Sequence, residues 1–219
     1  VSCQECHMPL KENGYHSHKF VGVDIDLSIP LEFNDLKDDV QELLETSASL
    51  EFIYQDEEIV NIVDAGDILN IPITVTSNTA HSLPSGTSFN RQVWLEISVI
   101  NNNNNIIFES GKVNNSQQLN FEDTNLLLFR SIIFDDDGNV SNNVTDIGEI
   151  SNYSLLAYSQ REKYYEVPIS NNLSGNLDIT ARLLFRPFDP SFILEHHPEF
   201  LDNLPIYQIA SINTQIIIQ

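Results

Sequence analysis

Positive charge is scarce in these 219 residues: ten lysines and arginines stand against 32 aspartates and glutamates, a formal net charge of -22. Nucleic acid and anionic membrane surfaces both require clustered Lys and Arg, so neither is an expected partner. An acidic balance of this size favours solubility, a cationic or metal-bearing partner, or a salty habitat. Long apolar runs are missing too. None reaches the ~18 residues of a membrane-spanning helix, and the longest greasy pieces, such as 125–134, are strand-sized. There is no Gly-rich phosphate loop and no Gly-x-Ser-x-Gly elbow, the usual signs of nucleotide binding and of one large hydrolase class. Asp135-Asp136-Asp137-Gly138 opens like a calcium loop, but its twelfth position is Asp146 rather than Glu and no helices flank it, so it reads as a hairpin turn.

Cysteine is held to two residues, and both fall in the first seven: Val1-Ser2-Cys3-Gln4-Glu5-Cys6-His7. Cys-x-x-Cys-His is the attachment signature of a c-type haem. The spacing has a chemical reason. Each thiol adds across one vinyl group of the porphyrin, two intervening residues let both sulfurs reach one ring edge, and the next residue turns its imidazole under the iron. Cys3 and Cys6 are therefore the expected covalent anchors and His7 the expected iron ligand. Two other uses of the pair remain. A thioredoxin-like Cys-x-x-Cys needs a βαβ setting, whereas the following residues are polar and loop-like. Zinc on Cys3, Cys6, His16 and His18 would need an unusual single residue between the histidines, where about 3–5 are normal.

Thioether attachment takes place outside the cytoplasm, so an extracytoplasmic location, periplasmic or at the cell surface, is expected. A haem needs walls on both faces, and two residues ahead of Cys3 cannot supply one of them. The chain is accordingly expected to be a processed product or the carboxy-terminal piece of something longer, with further haems preceding it. Asn-x-Ser/Thr sequons, those at Asn114, Asn143, Asn152 and Asn172 among them, matter only where exported proteins are N-glycosylated.

The pattern along the chain predicts a mainly β fold: a β-sandwich over 49–219, preceded by a haem-binding loop segment and one helix over 1–48. Asn34 is the expected N-cap of a helix over 34–48, with Leu36, Val40, Leu43 and Leu44 as its apolar stripe. Strands are expected at 50–54, 59–63, 68–76, 93–100, 106–109, 126–134, 155–158, 164–169, 177–185 and 207–218. Pro72 suggests that 68–76 lies at an edge or a bulge, and the five asparagines 101–105 make a hairpin loop.

Histidines supply the remaining candidates. Nine residues from His7 to His16 span roughly 30 Å when extended, enough to wrap a porphyrin. His16 and His18 cannot both bind one iron from the same side, so one is a candidate second ligand and the other can reach a neighbouring haem; equally, both can be plain loop residues. His81, in Asn78-Thr79-Ala80-His81-Ser82-Leu83-Pro84-Ser85-Gly86, sits where a strand gives way to a Pro/Gly turn and can project towards a docked cofactor.

Taken together, Cys-Gln-Glu-Cys-His-Met-Pro, His-Lys-Phe-Val-Gly-Val-Asp after it, Ala80 to Gly86, and Arg91-Gln92-Val93-Trp94-Leu95 resemble the last haem module and carboxy-terminal β-sandwich of exported multihaem c-type cytochromes related to the cytochrome c-554 group. Ile107 to Gly111 and Thr180 to Arg186 are similar as well. The resemblance implies that Cys3 and Cys6 hold the haem, that His7 is its proximal ligand, and that His18 and His81 are distal ligands to haem irons. It departs from the family in having one Cys-x-x-Cys-His, Ala80 for Gly and Ser85 for Thr. The function expected is electron transfer through one covalent, bis-His haem, with other haem-bearing chains or copies of the same chain as partners in an oligomer or filament. A chain that carries electrons needs no catalytic residue. The alternatives are a subunit of a multihaem redox enzyme acting on nitrite or hydroxylamine, and a zinc-stabilised binding module.

Overall fold

Alternation of apolar side chains along four long strands decides the architecture. In the computed structural model, which describes residues 2–53, 61–141 and 143–219, Leu69, Ile71, Ile73 and Val75 point inward from β3 (Ile68–Ser77). Val93, Leu95, Ile97 and Val99 do so from β4 (Gln92–Asn101), and Leu177, Ile179, Ala181, Leu183 and Phe185 from β11 (Gly175–Arg186). Tyr207, Ile209, Ile216 and Ile218 complete the set from β12 (Tyr207–Ile218). All belong to one buried cluster, the outcome a period of two produces when one strand face meets an opposing sheet. Each such Val, Leu, Ile or Phe side chain, fully buried, stabilises the fold by about 1.5–3 kcal/mol.

The sandwich is built from two sheets. One has the order β1-β3-β10, with β1 at Ala48–Phe52 and β10 at Gln160–Pro168, both antiparallel to β3. The other has the order β2-β12-β11-β4-β5, with β2 at Ile62–Val63 and β5 at Ile106–Ser110; β6 (Leu127–Phe129) also pairs with β4. A third, small sheet joins β7 (Ser131–Phe134), β8 (Val140–Ser141) and β9 (Glu149–Asn152) in the order β8-β7-β9. The mainly β architecture expected from the sequence is the one observed.

Several boundaries differ, for local reasons. Pro72 is not on an edge strand: β3 is the middle strand of its sheet. The Pro72 carbonyl accepts from the Ile53 amide (3.0 Å), just past the last β1 pair, Phe52 with Ile73, so the missing N–H falls where that ladder has ended. The expected strand 126–134 is cut at Arg130, which turns inward. The expected strand 155–158 amounts to one bridge, Leu83 with Leu155. Tyr54, Ile59 and Val60, also expected in strands, lie outside the described residues.

Among the described residues three α-helices stand where one was expected: α1 (Cys3–His7), α2 (Lys37–Glu45) and α3 (Pro190–His196). Asn34 does not cap α2 directly. Its side chain accepts from the Leu36 amide (3.2 Å) and its carbonyl from the Lys37 amide (3.1 Å), a turn that hands the chain to the helix. Val40 and Leu44 then bury α2 against the sandwich.

The outer face of β4 is covered as well. Trp94 packs with Leu119 and Leu184, its indole N–H donates to the Gly111 carbonyl (2.9 Å), and the Arg186 guanidinium lies 5.0 Å from its ring centre. Beneath it runs a buried polar chain. Arg186 donates to Gln92 (2.6 Å), Gln92 to Asp189 (2.9 Å), and Arg130 pairs with Asp189 at 2.6 Å.

Candidate functional site

α1 is short because little holds it. The Ser2 hydroxyl accepts from the Glu5 amide (3.4 Å) and the Glu5 carboxylate from the Ser2 amide (2.7 Å), a reciprocal cap over the first turn. No residue of α1 is buried. The helical period places Cys3, Cys6 and His7 at i, i+3 and i+4, on one face. Both cysteines are free and exposed. The haem-motif segment expected as a loop is thus a helix, and Ser-x-x-Glu was the signal that announced it.

His7 is the half-buried member of the motif. Its Nδ1–H donates to the Val21 carbonyl (2.6 Å), the only role a carbonyl partner permits, so the neutral ring keeps its lone pair on Nε2. The ring stacks on Phe20, centres 4.6 Å apart and planes at 13°. On its other contact lies His81, with ring centres 6.4 Å apart and planes at 24°.

His81 is exposed, and its backbone is firmly held. Leu83, two residues on, exchanges both backbone hydrogen bonds with Leu155 at 2.8 Å, the Thr79 hydroxyl donates to the His81 carbonyl (2.6 Å), and Tyr158 donates to the Thr79 carbonyl (3.2 Å). Its Nδ1–H donates to the Ser82 carbonyl (3.0 Å), again leaving Nε2 as the acceptor.

His16 and His18 are placed differently. Residues 9–17 form a small hairpin in which Ser17 donates to the Pro9 carbonyl (3.0 Å) and Lys11 to the Tyr15 carbonyl (2.9 Å). His16 sits on it, exposed, its Nδ1–H tied to the Met8 carbonyl (2.7 Å). His18 is exposed and has no such tether. Of the expected residues, the structure brings His7 and His81 together. It does not gather Cys3, Cys6, His16 and His18 into a cluster: among the described residues, no three His, Cys, Asp or Glu side chains converge to hold a metal ion. The surrounding ion pairs are Lys19 with Asp39 (3.0 Å) and Arg91 with Asp24 (2.6 Å).

The donor set suits a covalently held haem. Two exposed thiols and an imidazole share one helical face. A second imidazole, that of His81, has its ring centre 6.4 Å from that of His7, near enough for both to approach one bound group. No helix among the described residues is long and apolar enough to cross a membrane.

No protein-family model matches the sequence, and no curated protein matches it either. Among solved structures, the chain superposes on a penta-haem cytochrome c552 from Thermochromatium tepidum with a TM-score of 0.70 and 18% identity, over 99% of this chain and 47% of that one. The chain therefore spans about half the length of that cytochrome and shares its fold there. An alkylpurine DNA glycosylase, AlkC, from Pseudomonas fluorescens matches 82% of this chain at a TM-score of 0.34 and 7% identity, too distant to inform function.

Proposed function

We propose that this chain is an electron-transfer c-type cytochrome module, carrying one covalent haem at the mouth of an acidic β-sandwich. The observation that carries the reading is the meeting of α1 with the His81 loop: Cys3, Cys6 and His7 on one face, and the His81 ring 6.4 Å from that of His7. The shared fold with a penta-haem cytochrome supports it.

In this reading Cys3 and Cys6 would hold the haem through thioethers, and His7 and His81 would hold its iron. When bound, the haem supplies a one-electron iron couple, tuned by its axial ligands and their hydrogen bonds. The chain does the rest. The Val21 and Ser82 carbonyls fix each ring's tautomer and orientation. With both imidazoles committed to the iron, the chain would exchange electrons and would not bind a small substrate. His16, with a free Nε2 and with Leu10 and Tyr15 exposed beside it (64% and 74%), is the residue offered to a haem outside this module, on another part of a longer chain or on a partner subunit. Thioether formation, in this reading, would take place outside the cytoplasm and makes that the proposed location.

The test is a visible spectrum of the natively produced protein, oxidised and dithionite-reduced, with a pyridine haemochrome assay. The expected result is a six-coordinate low-spin c-type spectrum unmoved by cyanide on mixing. A colourless protein overturns the reading, and a high-spin spectrum that shifts at once with nitrite or cyanide replaces electron transfer by ligand chemistry.

A further inference from the structure

Two carbonyls orient the two imidazoles, and one arginine connects the segments that carry them. Val21, which holds His7, lies three residues before Asp24; Ser82, which holds His81, lies three residues before Ser85. Arg91 joins the two. Its Nη2 donates to the Asp24 carboxylate (2.6 Å) and its Nη1 to the Ser85 carbonyl (2.7 Å).

The guanidinium is built into the loop. Its side chain is 13% exposed although its carboxylate partner is 52% exposed. Gly86 stands against it with φ +66°, and a Cβ there would lie 2.7 Å from Arg91 Nη1, so the glycine leaves the space that the guanidinium takes. Arg91 Nε is buried and makes no hydrogen bond to the described residues, so the Nη1 and Nη2 contacts define how the guanidinium is held.

We propose that Arg91 is a positioning residue for the iron ligands: its fork clamps the segment that orients His7 to the loop that orients His81, and so sets how firmly the distal imidazole is held. This rests on the reading of His7 and His81 as axial ligands. Only a planar group with donors in fixed directions bridges a carboxylate and a carbonyl in this way. Lysine's compact ammonium has donors but not the fixed fork, and does not hold the two acceptors in the same directions.

The experiment uses the haem-loaded protein and four variants, Arg91→Lys, Arg91→Met, Asp24→Asn and His81→Ala. It reads the rate at which cyanide displaces the distal ligand, the midpoint potential, and the urea midpoint of the sandwich. Arg91→Lys and Asp24→Asn are expected to speed cyanide capture about tenfold, the order set by losing one charge-assisted hydrogen bond, and to move the potential while the urea midpoint stays put. Because Asp24 is half exposed, its variant folds even where an Arg91 variant does not. Native capture rates and potentials in the Arg91 and Asp24 variants, beside a His81→Ala protein that captures cyanide at once, overturn the clamp alone. Rates that rise only in step with a falling urea midpoint also overturn it. A His81→Ala protein with an unchanged low-spin spectrum overturns the ligand reading beneath it.

Discussion

The rings of His7 and His81 lie 6.4 Å apart at 24°, although one belongs to a five-residue helix at the start of the chain and the other to the loop between β3 and β4. Each donates its Nδ1–H to a backbone carbonyl close at hand, so the nitrogen left on each ring is the same one. His18 has neither the tether nor the neighbour.

That contrast separates the histidines by experiment. His81→Ala is expected to convert the haem-loaded protein to a high-spin form that takes up added imidazole, whereas His18→Ala and His16→Ala keep the low-spin spectrum of this module. Absorption titrations with imidazole on the three variants check it. An unchanged His81→Ala protein with a high-spin His18→Ala protein would exchange the two assignments.

Asp189 is the acidic centre of the buried polar chain. Its carboxylate pairs with Arg130, both side chains under 10% exposed, accepts from Gln92, and caps α3 by accepting from the Ser191 amide (3.0 Å). Removing one partner of a buried pair strands the other charge, so Asp189→Ala is expected to cost about 3–5 kcal/mol. Urea denaturation at neutral pH measures it.

The same carboxyl gives a pH signature. Burial acts to raise its pKa, but the Ser191 hydrogen bonds and the Arg130 charge outweigh burial and leave it below the usual carboxylate range. A depressed folded-state pKa adds stability above the unfolded-state value, about 4 for aspartate, and that stability drains away as pH falls through the folded-state value. The stability gap between wild type and Asp189→Asn is therefore expected to be constant near neutrality and to narrow below about pH 4. Urea midpoints of both proteins across that range test the sign.

Gly111 sits at φ +71°, and a Cβ there would lie 2.3 Å from the Leu95 carbonyl oxygen. Gly111→Ala is expected to destabilise by at least about 1–3 kcal/mol. The Gly111 carbonyl accepts from the Trp94 indole, and Trp94 is the single tryptophan. Its fluorescence therefore reports the disturbance directly, and an unshifted emission with an unchanged urea midpoint would refute the prediction.

Self-repulsion is the remaining handle. With a formal charge of -22 and exposed pairs such as Lys19 with Asp39, adding salt screens more repulsion than attraction. Raising NaCl from about 10 mM to about 150 mM is expected to raise the melting temperature by roughly 2–4 °C. A fall instead would mean that the surface ion pairs outweigh the net charge.

Long strands with strict alternation were legible in the sequence. β4, β5, β11 and β12 fall within a residue or two of the positions their period of two predicts, because the opposing sheet rewards that period directly. Short elements were not. α1 is too brief for a helical period, though its capping box was readable, and α3 is announced only by Asp189-Pro190. Arg130 breaks an apolar run for the sake of Asp189, whose position is fixed by the fold and not by sequence distance. The approach of His81 to His7 is of the same kind. Spacing shows that His81 lies in a turn; which ring the turn faces is decided by the Leu83–Leu155 bridge and by the Arg91 clamp.

The helix bearing the two thiols contributes no buried side chain, while the large apolar cluster draws on residues from Val21 onward. Reactive groups and folding free energy are thus lodged in different stretches of polypeptide. Cys3 and Cys6 stand outside the packing that holds the sandwich together. Substitutions of Cys3 and Cys6 are accordingly expected to leave the thermodynamics of the sandwich nearly untouched.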